Sequence, residues 1–181
     1  MIKKLTFVLI CFFSLNLTSF AEDKNPASER FGDWFLNCKQ SDNNNVCELT
    51  QLITLKDSNL KFNLLYSAFK NKENQIKEVF TIITPLGVNL GINPAIRFDN
   101  DKQYNFRYLK CESFGCVISI TNNTPQKEAN ELFDQIIDKF IKSNELEVAI
   151  QGFTGNPIVI KTSLKGFSKG LTQLQKKSKF N

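Results

Sequence analysis

Few residues in this sequence could perform chemistry, because the chain contains no histidine. Histidine is the commonest general base and the commonest metal ligand, so its absence excludes Ser-His and Cys-His nucleophile pairs. The sequence also lacks a G-x-S-x-G nucleophile elbow and a glycine-rich loop that could hold a phosphate. The remaining candidates are pairs of carboxylates and the cysteines.

Two carboxylate arrangements could support catalysis or binding. Glu145 and Glu147 lie about 7 Å apart on one face of a predicted strand, a separation that glycoside hydrolysis can use. Charges that alternate along an exposed strand are ordinary, so a solvated face is the favoured interpretation. Asp33 beside Trp34 would suit a carbohydrate site, but a turn residue next to a core tryptophan is favoured.

The segment 99–101 lacks the further oxygen ligands of a calcium loop, and we predict a turn there.

The cysteines outside the N-terminal apolar segment form two closely spaced pairs, C-x8-C and C-x4-C. An even number of cysteines in an exported chain favours disulfides, and four cysteines allow three connectivities. We predict the local pairs Cys38–Cys47 and Cys111–Cys116, because each pair brackets a turn between two strand patterns. Zinc ribbons and thioredoxin-like sites use C-x2-C spacing and are disfavoured.

The N-terminus predicts export. Two lysines within Met1–Lys4 precede the apolar run Leu5–Phe20, and small residues at Ser19 and Ala21 complete the pattern of a cleaved signal peptide at residues 1–21. An uncleaved membrane anchor is the alternative, but the apolar run is short and acidic residues follow it. We therefore expect an exported mature chain without an integral membrane span.

Length and charge predict a single domain that does not bind nucleic acid. We expect a flexible lead-in at residues 22–30, one β-sandwich domain at 31–175 and a basic tail at 176–181. Loss of Lys3 and Lys4 with the signal lowers the net charge from +5 to +3. This excess is too small and too scattered to imply a nucleic-acid partner.

A hairpin from Phe31 to Ile53 is the element around which the chain is organised. Its two apolar runs, Phe31–Cys38 and Val46–Ile53, flank the polar insert Gln40–Asn45, whose asparagines favour a longer loop. Strand patterns also follow it, at residues 60–70, 76–84, 88–98 (irregular), 104–111 (with one aromatic face), 116–121, 145–151 and 158–163.

One segment changes to helical period. Apolar residues recur along one face of residues 124–143, and Thr124-Pro125 is the predicted cap and first turn. The opposite face is acidic, so we expect this helix to pack on a sheet rather than to bind a membrane. A short terminal segment through Leu174 is also compatible with helix. The chain is therefore predicted to be mainly β, an immunoglobulin-like antiparallel β-sandwich with one amphipathic helix packed on it.

Five short motifs follow one another along the predicted mature chain. They are Gly32-Asp33-Trp34 followed by Cys38, then Cys47-Glu48-Leu49-Thr50-Gln51, Pro85-Leu86-Gly87, Cys111-Glu112-Ser113-Phe114-Gly115-Cys116 and Ser163-Leu164-Lys165-Gly166-Phe167. In this order they resemble the invasion-associated locus B (IalB) family of exported bacterial proteins. The resemblance implies a periplasmic or outer-membrane-associated β-sandwich with paired cysteines and no established enzymatic activity. It supplies no catalytic residue, and we expect no metal and no cofactor.

These observations predict a non-catalytic binding or interaction module of the cell envelope, whose partner is an envelope protein or a glycan. The alternative is an envelope hydrolase that acts on glycan or peptide through Glu145 and Glu147. A third hypothesis is a thiol oxidoreductase, which would need a cysteine of low pKa. The sequence identifies neither the partner nor the oligomeric state.

Overall fold

The structure is a computed structural model, and it describes residues 28–41, 44–56, 58–155 and 157–178. The predicted signal peptide and most of the predicted lead-in lie outside the described residues. The strands are β1 (Glu29–Phe31), β2 (Trp34–Ser41), β3 (Asn44–Thr54), β4 (Lys61–Lys70), β5 (Ile76–Thr84), β6 (Ala95–Phe98), β7 (Gln103–Asn105), β8 (Lys110–Glu112), β9 (Gly115–Thr121), β10 (Glu145–Gln151) and β11 (Pro157–Ser163). The helices are α1 (Lys127–Lys142) and α2 (Phe167–Lys177).

The larger sheet contains seven antiparallel strands in the order β1-β2-β3-β4-β5-β9-β8. Its centre is a meander, in which β2, β3, β4 and β5 each pair with the next strand. Alternate residues of β4, from Phe62 to Ala68, are buried, as the predicted period of two requires. One face of this sheet therefore forms a wall of the core.

The smaller sheet contains four antiparallel strands in the order β11-β10-β6-β7. Leu146, Val148 and Ile150 of β10 are buried, which confirms the predicted inward face. The inward side chains of both sheets belong to one hydrophobic cluster. The predicted mainly β, immunoglobulin-like sandwich is therefore confirmed, with two helices rather than one.

Phe140 of α1 joins the layers of the core. Its ring centroid lies 4.4 Å from that of Phe80 in the larger sheet and 5.1 Å from that of Phe98 in the smaller sheet. The same ring lies 5.0 Å from Phe167 of α2 and 6.3 Å from Trp34 of β2. Aromatic contacts of this kind add to the free energy gained by burial, so one side chain stabilises both sheets and both helices.

The first hairpin is more regular than predicted. β2 continues to Ser41 and β3 begins at Asn44, so most of the predicted loop Gln40–Asn45 is strand. The ladder continues through the pair Ser41 and Asn44, because cross-strand hydrogen bonds outweigh the turn preference of the asparagines.

The helix boundaries also differ from the prediction. α1 begins at Lys127, and Thr124 is not its cap. The side chain of Asn130 folds back instead: its Nδ2 donates to the Thr124 carbonyl, and its Oδ1 accepts from the Thr124 N–H, both at 2.9 Å. α2 extends past Leu174 to Lys177, which pairs with Glu29 of β1. Strand β1 and helix α2 therefore extend beyond the limits 31 and 175 predicted for the domain, and residues 179–181 of the predicted tail lie outside the described residues.

Two predicted strands are divided. Of residues 88–98, only Ala95–Phe98 is strand, and Val88 makes an isolated bridge to Gly152. The predicted aromatic strand separates into β7 in the smaller sheet and β8 in the larger one. The chain crosses between the sheets here, where the Phe106 N–H donates to the Pro94 carbonyl at 2.9 Å. Its aromatic residues Tyr104 and Phe106 are nevertheless buried.

Replacing Phe140 with alanine should lower the unfolding free energy by about 3–5 kcal/mol, because the substitution leaves a cavity among four neighbouring aromatic rings. Urea unfolding followed by Trp34 fluorescence measures the loss. Phe114→Ala is the control, since Phe114 is exposed and should change stability by no more than about 0.5 kcal/mol. Equal losses in the two variants would contradict the central position of Phe140.

Candidate functional site

Two of the sequence motifs meet at a backbone contact that we call the glycine junction, formed by Gly32, Lys165 and Gly166. Gly32 has φ +59° and Gly166 has φ +100°, values that favour glycine. A Cβ on Gly32 would lie 2.3 Å from the Lys165 carbonyl oxygen, and one on Gly166 would lie 1.9 Å from that of Phe31. The Asp33 N–H donates to the Lys165 carbonyl at 3.1 Å. The two segments therefore pack main chain against main chain.

The aromatic residues that follow these glycines enter the core together. The ring centroids of Trp34 and Phe167 are 4.9 Å apart, and both side chains are fully buried. A buried indole cannot stack on a sugar, so the suggested carbohydrate platform at Asp33 and Trp34 is wrong. The favoured interpretation, a turn residue beside a core tryptophan, is confirmed.

Gln51 joins the same region from β3. Its side chain is 5% exposed, and its Nε2 donates to the Ser163 carbonyl at 3.1 Å. This bond connects the larger sheet to the end of β11, next to the glycine junction. The motif residues Gly32, Trp34, Gln51, Lys165, Gly166 and Phe167 therefore come together, and their contacts are structural.

A cavity of about 600 Å³ lies beside the glycine junction and is lined by Lys142, Lys165 and Lys169 with the hydroxyls of Ser143 and Ser168. These groups would favour an anion in the cavity. All three lysines face solvent, however, and Lys142 already pairs with Asp138 at 2.7 Å. The cavity is a weakly basic depression.

The remaining motif residues form a second group at the far end of β10. Gly115 has φ +143°, and a Cβ there would lie 2.3 Å from the Thr84 carbonyl oxygen, just before Pro85. The disulfide Cys111–Cys116 closes the adjacent hairpin between β8 and β9. Nearby, the Gly87 carbonyl accepts a hydrogen bond from the Phe153 N–H at 2.8 Å.

The loops of this second group expose a set of large apolar side chains, which we call the apolar loop surface. They range from 49% exposed at Ile92 to 80% at Phe153. The members are Leu86, Leu90, Ile92, Leu109, Phe114 and Phe153. Leu90 and Leu109 also line one cavity of about 330 Å³.

The sequence prediction missed this surface, because an apolar residue in a short irregular segment can be buried or exposed. A signal for it was nevertheless present. Residues 85–94 contain no charged side chain, and prolines and glycines interrupt them although their apolar residues alternate at strand period. Residues 152–155 are also uncharged. Uncharged irregular segments with several large apolar residues are unusual on a solvated surface.

The carboxylates proposed for hydrolysis are held in ion pairs. The Arg97 Nε donates to Glu147 at 2.6 Å, and the Lys161 Nζ lies 3.1 Å from Glu147 and 3.6 Å from Glu145. Hydrogen bonds from Arg97 and then from Lys161 lower the pKa of Glu147. A general acid needs a raised pKa, so this geometry favours a structural role for Glu147.

The segment Asp99–Asp101 is a turn, as predicted. The Asp99 carboxylate accepts the N–H groups of Asn144 and Glu145 at 3.0 and 2.9 Å, and Asp101 pairs with Lys139. Among the described residues, no group of three or more histidine, cysteine or acidic side chains could hold a metal ion.

Both predicted disulfides are present. Cys38 and Cys47 occupy opposite positions of β2 and β3, and Cys111 and Cys116 occupy opposite positions of β8 and β9.

None of the described helices is both long enough and apolar enough to cross a membrane.

The family model described as "Invasion associated locus B (IalB) protein" matches residues 34–175. No curated protein matches the chain. The crystal structure of invasion associated protein B from Bartonella henselae aligns with a TM-score of 0.61 at 18% sequence identity, covering 82% of this chain and 94% of that chain. At this identity, the structural likeness shows a shared fold.

Gly166→Ala should destabilise the protein more than Gly155→Ala. Both glycines have positive φ, which costs an alanine about 1–2 kcal/mol. Only Gly166 also faces a backbone atom, whereas the space around Gly155 is open. We expect the clash to add about 1–3 kcal/mol in urea unfolding. Equal losses would show that the glycine junction is not a close contact.

Glu147→Gln should lower stability at neutral pH and have little effect in acid. The folded-state pKa of Glu147 is lowered, so its contribution is present above the unfolded pKa and is lost as pH falls through the folded pKa. Urea midpoints of both proteins at about pH 7 and about pH 3 measure the difference. Glu145→Gln is the control, because Glu145 makes only a 3.6 Å contact with Lys161. A difference that persists in acid would contradict the ion-pair explanation.

Proposed function

The chain belongs to the invasion associated locus B family, since the family model matches residues 34–175, and from this premise we propose that it is an exported, non-catalytic binding module of the cell envelope. The observation that carries the proposal is the apolar loop surface. We expect the module to act in the periplasm. The predicted signal peptide at residues 1–21 and two disulfides, which persist in oxidising compartments, support that location.

The apolar side chains of this surface are concentrated in one region. Single exposed apolar residues are normal on protein surfaces, whereas contiguous groups mark interaction sites. Six of the eleven large apolar residues that are exposed in the described chain belong to these loops. This concentration supports a surface on which another molecule docks.

The loops that carry the surface are bonded to one another and to the sheets. The Asn89 N–H donates to the Gln151 carbonyl at 2.8 Å, and the Leu109 N–H donates to that of Val117 at 2.7 Å. The disulfide between β8 and β9 fixes the hairpin that carries Phe114. A surface that is already ordered loses less conformational entropy on binding, which supports a binding role.

The catalytic alternatives have less support. The ion pairs of Glu147 and its lowered pKa disfavour the envelope hydrolase. The thiol oxidoreductase is disfavoured by the cysteine spacing, because the two disulfides join C-x8-C and C-x4-C pairs rather than the C-x2-C pair of thioredoxin-like sites.

Site-specific photocrosslinking in the cells that make the protein tests the proposal. A photoreactive residue is placed at Phe153 or Leu90 in the loops, or at Leu52 on the outward face of β3 as the control. Leu52 is 61% exposed and Leu90 is 60% exposed, so accessibility is matched. We expect crosslinked products from Phe153 and Leu90 and severalfold less from Leu52. Products of equal yield at all three positions, or neither protein nor lipid adducts in the loops, would contradict a docking surface there.

A further inference from the structure

The apolar loop surface has a charge pattern that indicates its partner. Residues 85–94 and 152–155 have no charged side chain, although 23% of the whole chain is charged. Three large apolar residues in these segments, Leu86, Leu90 and Phe153, are nevertheless each more than half exposed to solvent. These loops therefore present side chains that water solvates poorly.

Cationic groups lie immediately beside the apolar side chains. Arg107 and Lys110 line the same cavity as Leu90 and Leu109. Lys110 pairs with Glu112 at 3.0 Å, whereas Arg107 is exposed and makes no ion pair with any residue that the structure describes. The surface is thus amphipathic, with an uncompensated positive charge next to leucine side chains.

This combination fits the interface of an anionic bilayer. Leucine, isoleucine and phenylalanine side chains can enter the boundary between headgroups and acyl chains, while arginine and lysine contact the phosphates. Uncharged apolar loops with basic side chains beside them therefore match such a bilayer in both their apolar and their charged parts.

A second copy of the chain fits the surface less well. In a two-fold symmetric contact the same patch faces itself. Each copy would then bring its uncompensated Arg107 into the same interface, and two unpaired positive charges in one interface are unfavourable. An anionic surface would instead neutralise this charge.

We infer that the apolar loop surface docks the protein peripherally on a membrane that contains anionic lipid. Leu86, Leu90 and Phe153 enter the interface, and Arg107 contacts lipid phosphate. The inference rests on the proposed function and names the partner of the same surface.

Fluorescence with lipid vesicles tests the inference on the processed chain recovered after export. Phe153→Trp is compared with Leu52→Trp, and the buried Trp34 gives the same background in both. Vesicles of phosphatidylglycerol and phosphatidylcholine should shift the emission of Phe153→Trp to the blue, and brominated lipid should quench it. Leu52→Trp should show neither effect. Equal urea midpoints for the two variants establish that both are folded.

Charge reversal tests the role of Arg107. Each basic residue near an anionic surface contributes about 1 kcal/mol, a factor of about five. Arg107→Glu changes the charge by two and should therefore weaken binding to the anionic vesicles by roughly tenfold or more. Lys72→Glu is the control, since Lys72 is exposed in the turn between β4 and β5, at the opposite end of β5 from Pro85. Equal weakening in the two variants would show that only net charge matters and would overturn the role of Arg107.

The outcomes separate the lipid partner from the proposed function. A blue shift that requires no vesicles and grows with protein concentration would identify a second copy as the occupant and overturn the inference. Protein crosslinks at Phe153 in cells, without vesicle binding, would overturn the lipid partner and leave the binding module intact. Absence of both crosslinking and vesicle binding would remove both proposals.

Discussion

The close approach of two backbone segments at Gly32 and Gly166 is the constraint on which the rest of the structure depends. No side chain fits between these segments, so the first turn of the domain and the segment before its last helix are fixed to one another. This contact places Trp34 and Phe167 edge to face in the core. Phe140 then packs on both rings and links them to the two sheets. The sandwich is therefore held together at this end by main-chain contact and by aromatic packing.

Sequence patterns predicted the parts of this fold that are determined locally. The alternation along β4 and β10 follows from the pleat of each strand, and the stripe on α1 follows from its helical period. The two disulfides join neighbouring strands across short turns, so spacing along the chain was sufficient to pair the cysteines correctly.

The features that sequence patterns could not supply depend on distant parts of the chain. Glu147 is opposite Arg97 on one side and Lys161 on the other, and only the registers of β10 with β6 and β11 bring these charges together. The division of residues 104–111 arises because the chain leaves one sheet for the other, which alternation alone does not reveal. The candidate site was missed for a related reason: Leu90 and Phe153 are apolar like core residues, and only the fold leaves them exposed.

The two strands β10 and β11 run from the glycine junction at one end to the exposed loops at the other. The residues of the glycine junction therefore do not contact a partner that binds the apolar loop surface. Substitutions at the loop tips leave the framework's packing untouched, whereas the framework tolerates almost none at its glycines. Such a fold keeps the residues that set its interior apart from those that its exposed loops present.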